Sequence, residues 1–369
     1  MIYIFLIILI VYVLTISWLI YGFDNIKITT NDAIEPKTTF SIIVPFRNEE
    51  NDFLSLLESI SNLNYPRNLS EIVVVNDDSN DSSVTIFNKW KLENVEITSK
   101  LIQNIRNSNS PKKDAITTAI QNIKNDWIIT TDADCLVQQN WLLAYDSFIQ
   151  NSNAAMIPGS VSIKKTNGFL IYFQFVDFLC LQGATIGSFG INQQFMCNGA
   201  NFAYSKKIFF ELNGFDGNDK IASGDDVFLL QKALKYNSNL VAYLKNNEAT
   251  VFTKSEQSWT KLFQQRVRWA SKTGSYDGFF GKFLSMIVLI TNLSTILVFL
   301  FLPFVYGILF FVIKFIIDAI LLIKTNQFIS RKKFIFPFLS SLFYPFFCVS
   351  VAFYSFFGTY EWKNRNFRR

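Results

Sequence analysis

At 369 residues, 50% of them hydrophobic and 40 of them Phe, the chain is too long and too apolar for one ordinary small soluble domain. Its net charge is a modest +5, with basic residues dispersed through the middle and gathered near the C-terminal apolar runs, which argues against nucleic acid as a partner. The complete absence of His excludes Ser-His-Asp triads, His-ligated zinc and His general bases, so acid–base work falls to carboxylates and any metal site is expected to be oxygen-rich. Cys135, Cys180, Cys197 and Cys348 show no C-x-x-C spacing and fit a reducing compartment without a disulfide framework.

Residues 2–22 are almost wholly apolar and about the length of a bilayer crossing. No basic stretch precedes them and no small-x-small cleavage site follows, so the expectation is an uncleaved transmembrane helix rather than a signal peptide. From residue 23 to about 278 the composition turns ordinary. A first strand, 40–45, is expected to stop at Pro45, and residues 51–63 carry apolar side chains at helical spacing. A fully apolar strand, 71–75, runs into the acidic turn Asn76-Asp77-Asp78, and 84–90 suits a helix. A weaker strand lies near 95–102, a helix near 115–123, and a short apolar strand at 127–131 ends in Asp132-Ala133-Asp134. Strands alternating with helices predict a mainly parallel α/β sheet.

The stretch from 141 to 278 is less regular. It holds the Gly-rich segment Cys197-Asn198-Gly199-Ala200-Asn201, the acidic pair Asp225-Asp226 at the head of a predicted helix over 227–234, and Gln264-Gln265-Arg266-Val267-Arg268-Trp269. Beyond residue 279 the apolar character returns in runs at 283–302, 304–323 and 334–357, the last interrupted by Pro337 and Pro345. Lys314 and Asp318 stand four apart and can pair on one helix face, which makes that run tolerable in a membrane. The predicted organisation is a transmembrane helix (1–22), a catalytic domain (23–278) and a membrane region (279–369) with two or three apolar segments. Basic residues at 324–333 and in the tail ask for the cytoplasmic side, and both can be there only if the last run does not cross fully.

Four polar sites fall at successive strand–helix junctions: Pro45-Phe46-Arg47-Asn48-Glu49-Glu50, Asp77-Asp78, Lys112-Lys113 and Asp132-x-Asp134. In a parallel sheet such junctions share one edge, and ligands collect beyond the carboxyl ends of the strands. Carboxylates one residue apart there suit a hard divalent cation, and nearby cations suit phosphates. That set fits substitution at a carbon bearing a diphosphate leaving group, with a carboxylate base for the incoming hydroxyl. Acidic residues in the first turn of a helix are also ordinary dipole partners, so Asp225 and Asp226 admit a structural reading as well. The Gln-Arg-Trp stretch likewise suits an interfacial helix, or a guanidinium on a diphosphate.

The order Ile43-Val44-Pro45-x-x-Asn48-Glu49, Val75-Asn76-Asp77-Asp78-Ser79-x-Asp81, Lys112-Lys113, Asp132-Ala133-Asp134, Gly224-Asp225-Asp226 and Gln265-x-x-Arg268-Trp269 resembles the membrane-bound family-2 glycosyltransferases over residues 38–275. The resemblance implies a GT-A fold, an inverting mechanism, a UDP- or GDP-sugar donor and a Mg²⁺ or Mn²⁺ ion. It implies that Asp77 contacts the nucleotide base, with Pro45 and Glu49 shaping the pocket, and that Arg47 and Lys113 lie by the donor. Asp132 would face the donor, Asp134 would ligate the metal with Asp132 beside it, and Asp226, with Asp225, would supply the catalytic base. Gln265, Arg268 and Trp269 would hold the diphosphate and acceptor. Trp362-Lys363-Asn364-Arg365 also resembles an ending found among related membrane transferases. Asn76 stands where many members carry Asp, Asp225 where Glu is usual, and the membrane part is small for a polymer-secreting synthase.

The function expected is transfer of a sugar to a hydroxyl of a lipid or lipid-linked glycan. The alternatives are a short-chain processive polysaccharide synthase and an inactive nucleotide- or partner-binding membrane protein. The expected location is the cell inner membrane, with the catalytic domain cytoplasmic.

Overall fold

In the computed structural model the described residues are 1–369 except 32–34, 165–166, 219–223, 272–277, 331–336, 358–359, 363–364 and 368–369. In chain order the elements are α1 (Ile2–Asn25), β1 (Phe40–Phe46), α2 (Phe53–Ser61), β2 (Ser70–Asn76), α3 (Ser83–Glu93), β3 (Ser99–Gln103), α4 (Pro111–Gln121) and β4 (Trp127–Thr130). There follow α5 (Trp141–Gln150), β5 (Met156–Pro158), β6 (Val161–Ile163), α6 (Phe169–Gly190), β7 (Phe202–Ser205), α7 (Lys206–Glu211), α8 (Asp225–Asn237) and β8 (Val251–Thr253). The chain closes with α9 (Trp259–Ala270), α10 (Phe279–Phe301), α11 (Phe304–Ser330), α12 (Phe338–Phe357) and a short pair, β9 (Tyr360–Trp362) and β10 (Arg365–Phe367).

Two compact units result: an α/β unit of residues 27–162 and 196–254, and a helical unit of 1–26, 163–195 and 255–369. The stretch 23–278, read from sequence as one domain, thus contributes to both. The α/β unit is built on a six-stranded sheet of order β3-β2-β1-β4-β7-β5. Its first four strands are mutually parallel, while β7 runs antiparallel to both β4 and β5. The continuous apolar runs of β1 and β2 are buried on both faces, as covered parallel strands require.

Pro45 does not end β1, which continues to Phe46. The carbonyl of Ile43 accepts from Thr131, so residues 43 and 45 turn their backbone groups towards β4. That ladder ends at Thr130, and the missing Pro45 N–H therefore costs no bond. All four parallel strands deliver their carboxyl ends to one edge. The antiparallel β7 brings its amino end to the same edge, opposite Thr130.

In the helical unit α1, α6, α10, α11 and α12 are long and apolar enough to cross a membrane. Four of these match apolar runs read from the sequence; α6 does not. Its Gln174, Asp177, Gln182, Thr185 and Ser188 dilute the apolar signal, yet all five are buried inside the unit. Glycines let α1 and α6 meet backbone to backbone. A Cβ added at Gly190 would lie 1.8 Å from the Gly22 carbonyl, and one at Gly187 2.3 Å from that of Leu19.

Lys314 and Asp318 pair at 2.7 Å as expected, and Tyr12 of α1 donates to the same carboxylate at 2.7 Å. The basic stretch that begins at Lys324 is helical as far as Ser330, the end of α11, with Lys324 paired to Asp24 at 2.9 Å. Nothing in 324–330 breaks a helix, and the side-chain bond of Ser330 to Asn326 (2.6 Å) lies within its last turn. Pro345 lies inside α12, so it does not interrupt that run either.

Candidate active site

The corner beyond β4 is built on Asp132 and Asp134. Lys112, in the first turn of α4, donates from Nζ to Asp132 Oδ1 at 2.6 Å and lies 3.7 Å from Asp225 Oδ2. One ammonium thus links the Asp132-x-Asp134 turn to the head of α8. Burial opposes the lysine's charge, but Asp132 and Asp225 outweigh it and hold Lys112 above its ordinary range. Asp132, Asp134 and Cys135 each place one ligand atom within 4.8 Å of the others. Burial, then the Asp134 and Asp132 carboxylates, push the Cys135 thiol well above its usual range, so it stays a neutral donor to Asp134 Oδ1 at 3.6 Å. That leaves an oxygen donor set of two carboxylates, half-buried, suited to a hard cation that takes its other ligands from water and phosphate.

The second element is the start of α8. Gly224 precedes it with φ 83°, a left-handed backbone that favours glycine. Asp226 Oδ2 accepts the Gly199 N–H at 2.7 Å and Oδ1 accepts the Val227 N–H at 2.8 Å. Packing away from water, then the adjacent Asp225 carboxylate, push Asp226 up to about 6, against the pull of Lys112 and the two amides. A carboxylate in that range can take a proton near neutral pH.

Gly199 is delivered by the antiparallel strand: Thr130 donates to its carbonyl at 2.7 Å, and a Cβ there would come within 3.1 Å of Asp225 Oδ2. The turn is held from below by buried Asn201. Its amide donates to the Ser160 and Ala249 carbonyls at 2.7 and 2.8 Å, and its oxygen accepts from Trp141 Nε1 and the Tyr145 hydroxyl at 2.9 and 2.8 Å. All four hydrogen bonds an Asn side chain can make are filled.

The third corner lies beyond β1, β2 and β3. Asp77 is buried, and its Oδ1 accepts from Asn104 Nδ2 at 2.7 Å and from Arg106 Nη1 at 3.4 Å. Arg47 donates to the Asp77 carbonyl at 2.8 Å and lies 3.7 Å from Asp78. The loops after β1 and β2 are stitched together by Asn48 N–H to Ser79 Oγ (3.1 Å) and Glu49 N–H to Ser83 Oγ (2.8 Å). Pro45 is half-buried within β1. Asn104 and Arg106 were missed from the sequence, although the strand-end rule applied to β3 points to them. Lys113 is the second lysine of the first turn of α4. It is buried, donates to the Asn218 carbonyl at 2.5 Å and lies 4.9 Å over the Phe228 ring, while its neighbour Lys112 meets Asp132 and Asp225.

Gln265, Arg268 and Trp269 sit on α9, in the helical unit. Gln265 donates to Glu256 at 2.9 Å, and the Arg266 guanidinium lies 4.2 Å over the Trp269 ring. Arg268 is half-exposed, and its carbonyl accepts from Ser271 at 3.0 Å. Ala222 and Ser223, before the acidic pair, and Lys363 and Asn364, in the tail motif, lie outside the described residues.

A family model described as glycosyl transferase family 2 matches residues 41–212, and one described as glycosyl transferase family group 2 matches residues 127–357. The probable glycosyltransferase YdaM of Bacillus subtilis (strain 168) is 26% identical over 234 residues, 62% of this chain and 54% of that protein. The poly(ribitol-phosphate) beta-glucosyltransferase of Bacillus spizizenii is 31% identical over 130 residues, 35% of this chain and 19% of that protein. The chain therefore spans about half the length of the first relative and far less of the second. Among solved structures, the mannosyltransferase PcManGT of Pyrobaculum calidifontis, in complex with GDP-Man and Mn²⁺, shares the fold. Its TM-score is 0.59 at 16% identity, over 95% of this chain and 99% of that one. The match over residues 127–357 shows that the chain belongs to glycosyl transferase family group 2.

Proposed function

We propose that this protein is a membrane-bound, inverting glycosyltransferase that moves one sugar from a nucleotide-diphosphate donor to a hydroxyl of a lipid or lipid-linked glycan. The observation that carries the reading is the Lys112 bridge, which sets the donor-side Asp132 and the Asp225-Asp226 pair around one cation. The nucleotide base is assigned to the corner of Asp77, Asn104 and Arg106, with Pro45, Arg47 and Glu49 as its rim. The diphosphate is assigned to Asp132, Asp134 and Lys112. Asp134 and Asp132 would hold Mg²⁺ or Mn²⁺, which when bound offsets charge on the departing diphosphate. The Pyrobaculum protein was solved with Mn²⁺ and a GDP-sugar, which supports that assignment.

In the reaction Asp226 accepts the proton of the acceptor hydroxyl as its oxygen attacks the anomeric carbon. The bond from that carbon to the diphosphate oxygen breaks with its electron pair, and nucleoside diphosphate leaves. Attack opposite the leaving group inverts the centre, and a single carboxylate base suffices. Gln265, Arg268 and Trp269 are assigned to the diphosphate and acceptor. Five helices among the described residues, long and apolar enough to cross a bilayer, support a membrane-borne acceptor. The location proposed is the cell inner membrane, with the α/β unit cytoplasmic.

The test is a donor screen on membranes that measures released nucleoside diphosphate across UDP- and GDP-sugars, with and without Mn²⁺, followed by sizing of the lipid-extracted product. One sugar added to a lipid is expected. Pyrophosphate release, or no turnover with any donor, overturns the reading, and a ladder of oligomers replaces single transfer with processive synthesis.

A further inference from the structure

Helix α9 is tied to α6 through buried polar groups that the chemistry above does not use. Arg266 Nε donates to Asp177 Oδ2 at 2.7 Å, and both side chains are at least nine-tenths buried. The same guanidinium donates through Nη1 to the Gln265 side-chain oxygen and stacks 4.2 Å from the Trp269 ring. Gln265 donates onward to Glu256 at 2.9 Å. Glu256 exchanges both backbone bonds with the Gln174 side chain, its N–H to Oε1 at 2.8 Å and its carbonyl from Nε2 at 2.9 Å. Gln174 and Asp177 stand three residues apart on α6 and so share a helix face.

We infer that Asp177 and Arg266 are positioning residues, a clamp through which α6 sets the rotation of α9 and with it the presentation of Gln265 and Trp269. A buried ion pair is poor evidence of stability, since apolar residues of similar volume commonly replace one without loss. What such residues cannot replace is the fork of guanidinium donors that reaches the carboxylate and Gln265 while its plane lies on Trp269. The inference rests on the reading of Gln265 and Trp269 as holding diphosphate and acceptor.

Two variants of the full-length protein test it, with Gln265→Ala and Trp269→Ala as controls. Arg266→Lys keeps a cation for Asp177 but loses the fork and the stacked plane. The double variant Asp177→Leu/Arg266→Met removes the charges together. In both, kcat for transfer is expected to fall roughly 10- to 100-fold, the scale of small misplacements near a reacting centre. The KM for donor and the melting temperature in detergent should stay near the parental values. Parental kcat in a folded Arg266→Lys or double variant overturns the clamp, and so does a fall in kcat that merely tracks loss of thermal stability. Should Gln265→Ala and Trp269→Ala both turn over normally, the underlying reading fails and the clamp falls with it.

Discussion

The helical unit and the corner beyond β4 of the α/β unit handle charge in different ways. In the helical unit Lys314–Asp318 and Arg266–Asp177 are matched one to one, each at 2.7 Å, with further hydrogen bonds on the same groups. Beyond β4 in the α/β unit Lys112 faces both Asp132 and Asp225, with Asp226 pushed up to about 6 beside them. Charges in an apolar bundle must be neutralised locally, because nothing else will solvate them. In that corner one ammonium is shared between two carboxylates rather than matched to one, an arrangement that suits a cation and a proton arriving with the reaction.

The shared charge beyond β4 is most exposed to change at Asp226. Asp226→Asn should lower transfer by about 10²- to 10⁴-fold, the usual reach of a general base, while donor binding persists. Normal turnover by that variant removes Asp226 from the role of base. The same substitution should stabilise the protein at high pH. Because burial and Asp225 raise Asp226 in the folded state, its favourable contribution is present below pH 4 and lost as pH rises through about 6. The gain in melting temperature should therefore appear at pH 8 and vanish at pH 4; an equal gain at both would contradict the raised pKa.

Next in size is Gly187→Leu, which should cost the folded state several-fold in detergent-extracted yield, because the Leu19 carbonyl occupies the space its Cβ needs. Extraction at the parental level, with α1 and α6 still cross-linking, would count against this crossing.

Smaller is the pH profile. In the parent, kcat/KM should rise with pH through about 6 as Asp226 loses its proton. Lys112 lowers Asp226, so Lys112→Met should move the acid limb to higher pH besides slowing transfer. A limb that stays in place uncouples the two groups. The smallest effect is reserved for Asn104→Ala, which frees Asp77 of one donor and should raise donor KM a few-fold with kcat little changed. Kinetics that leave KM untouched would take Asn104 out of the base corner.

Much of the α/β unit was legible because its signals are local. The run Ile72-Val73-Val74-Val75 reads as a covered strand from its residues alone, and Asp77 and Asp132 follow such runs directly. The pairing of Lys314 with Asp318 needed only helical spacing. Three things were not legible, each for a physical reason. Helix α6 hides because Gln174 and Asp177 carry polarity that also needs partners 82 and 89 residues away in the chain. The choice between Lys112 and Lys113 depends on a rotation of about 100° around α4, which adjacent residues do not reveal. Pro45 reads as a strand end, and only the early departure of β4 shows why the strand passes through it.

The class of the chain, its N-terminal apolar helix and the carboxylates at the ends of β2 and β4 are all readable from residue order, because they rest on local patterns. The tertiary structure decided what those carboxylates meet. The antiparallel entry of β7 sets the Gly199 amide on Asp226, and the turn of α4 sets Lys112 between Asp132 and Asp225. Both contacts bring in residues from outside α8, and they restrain a proton affinity that burial and the adjacent Asp225 raise.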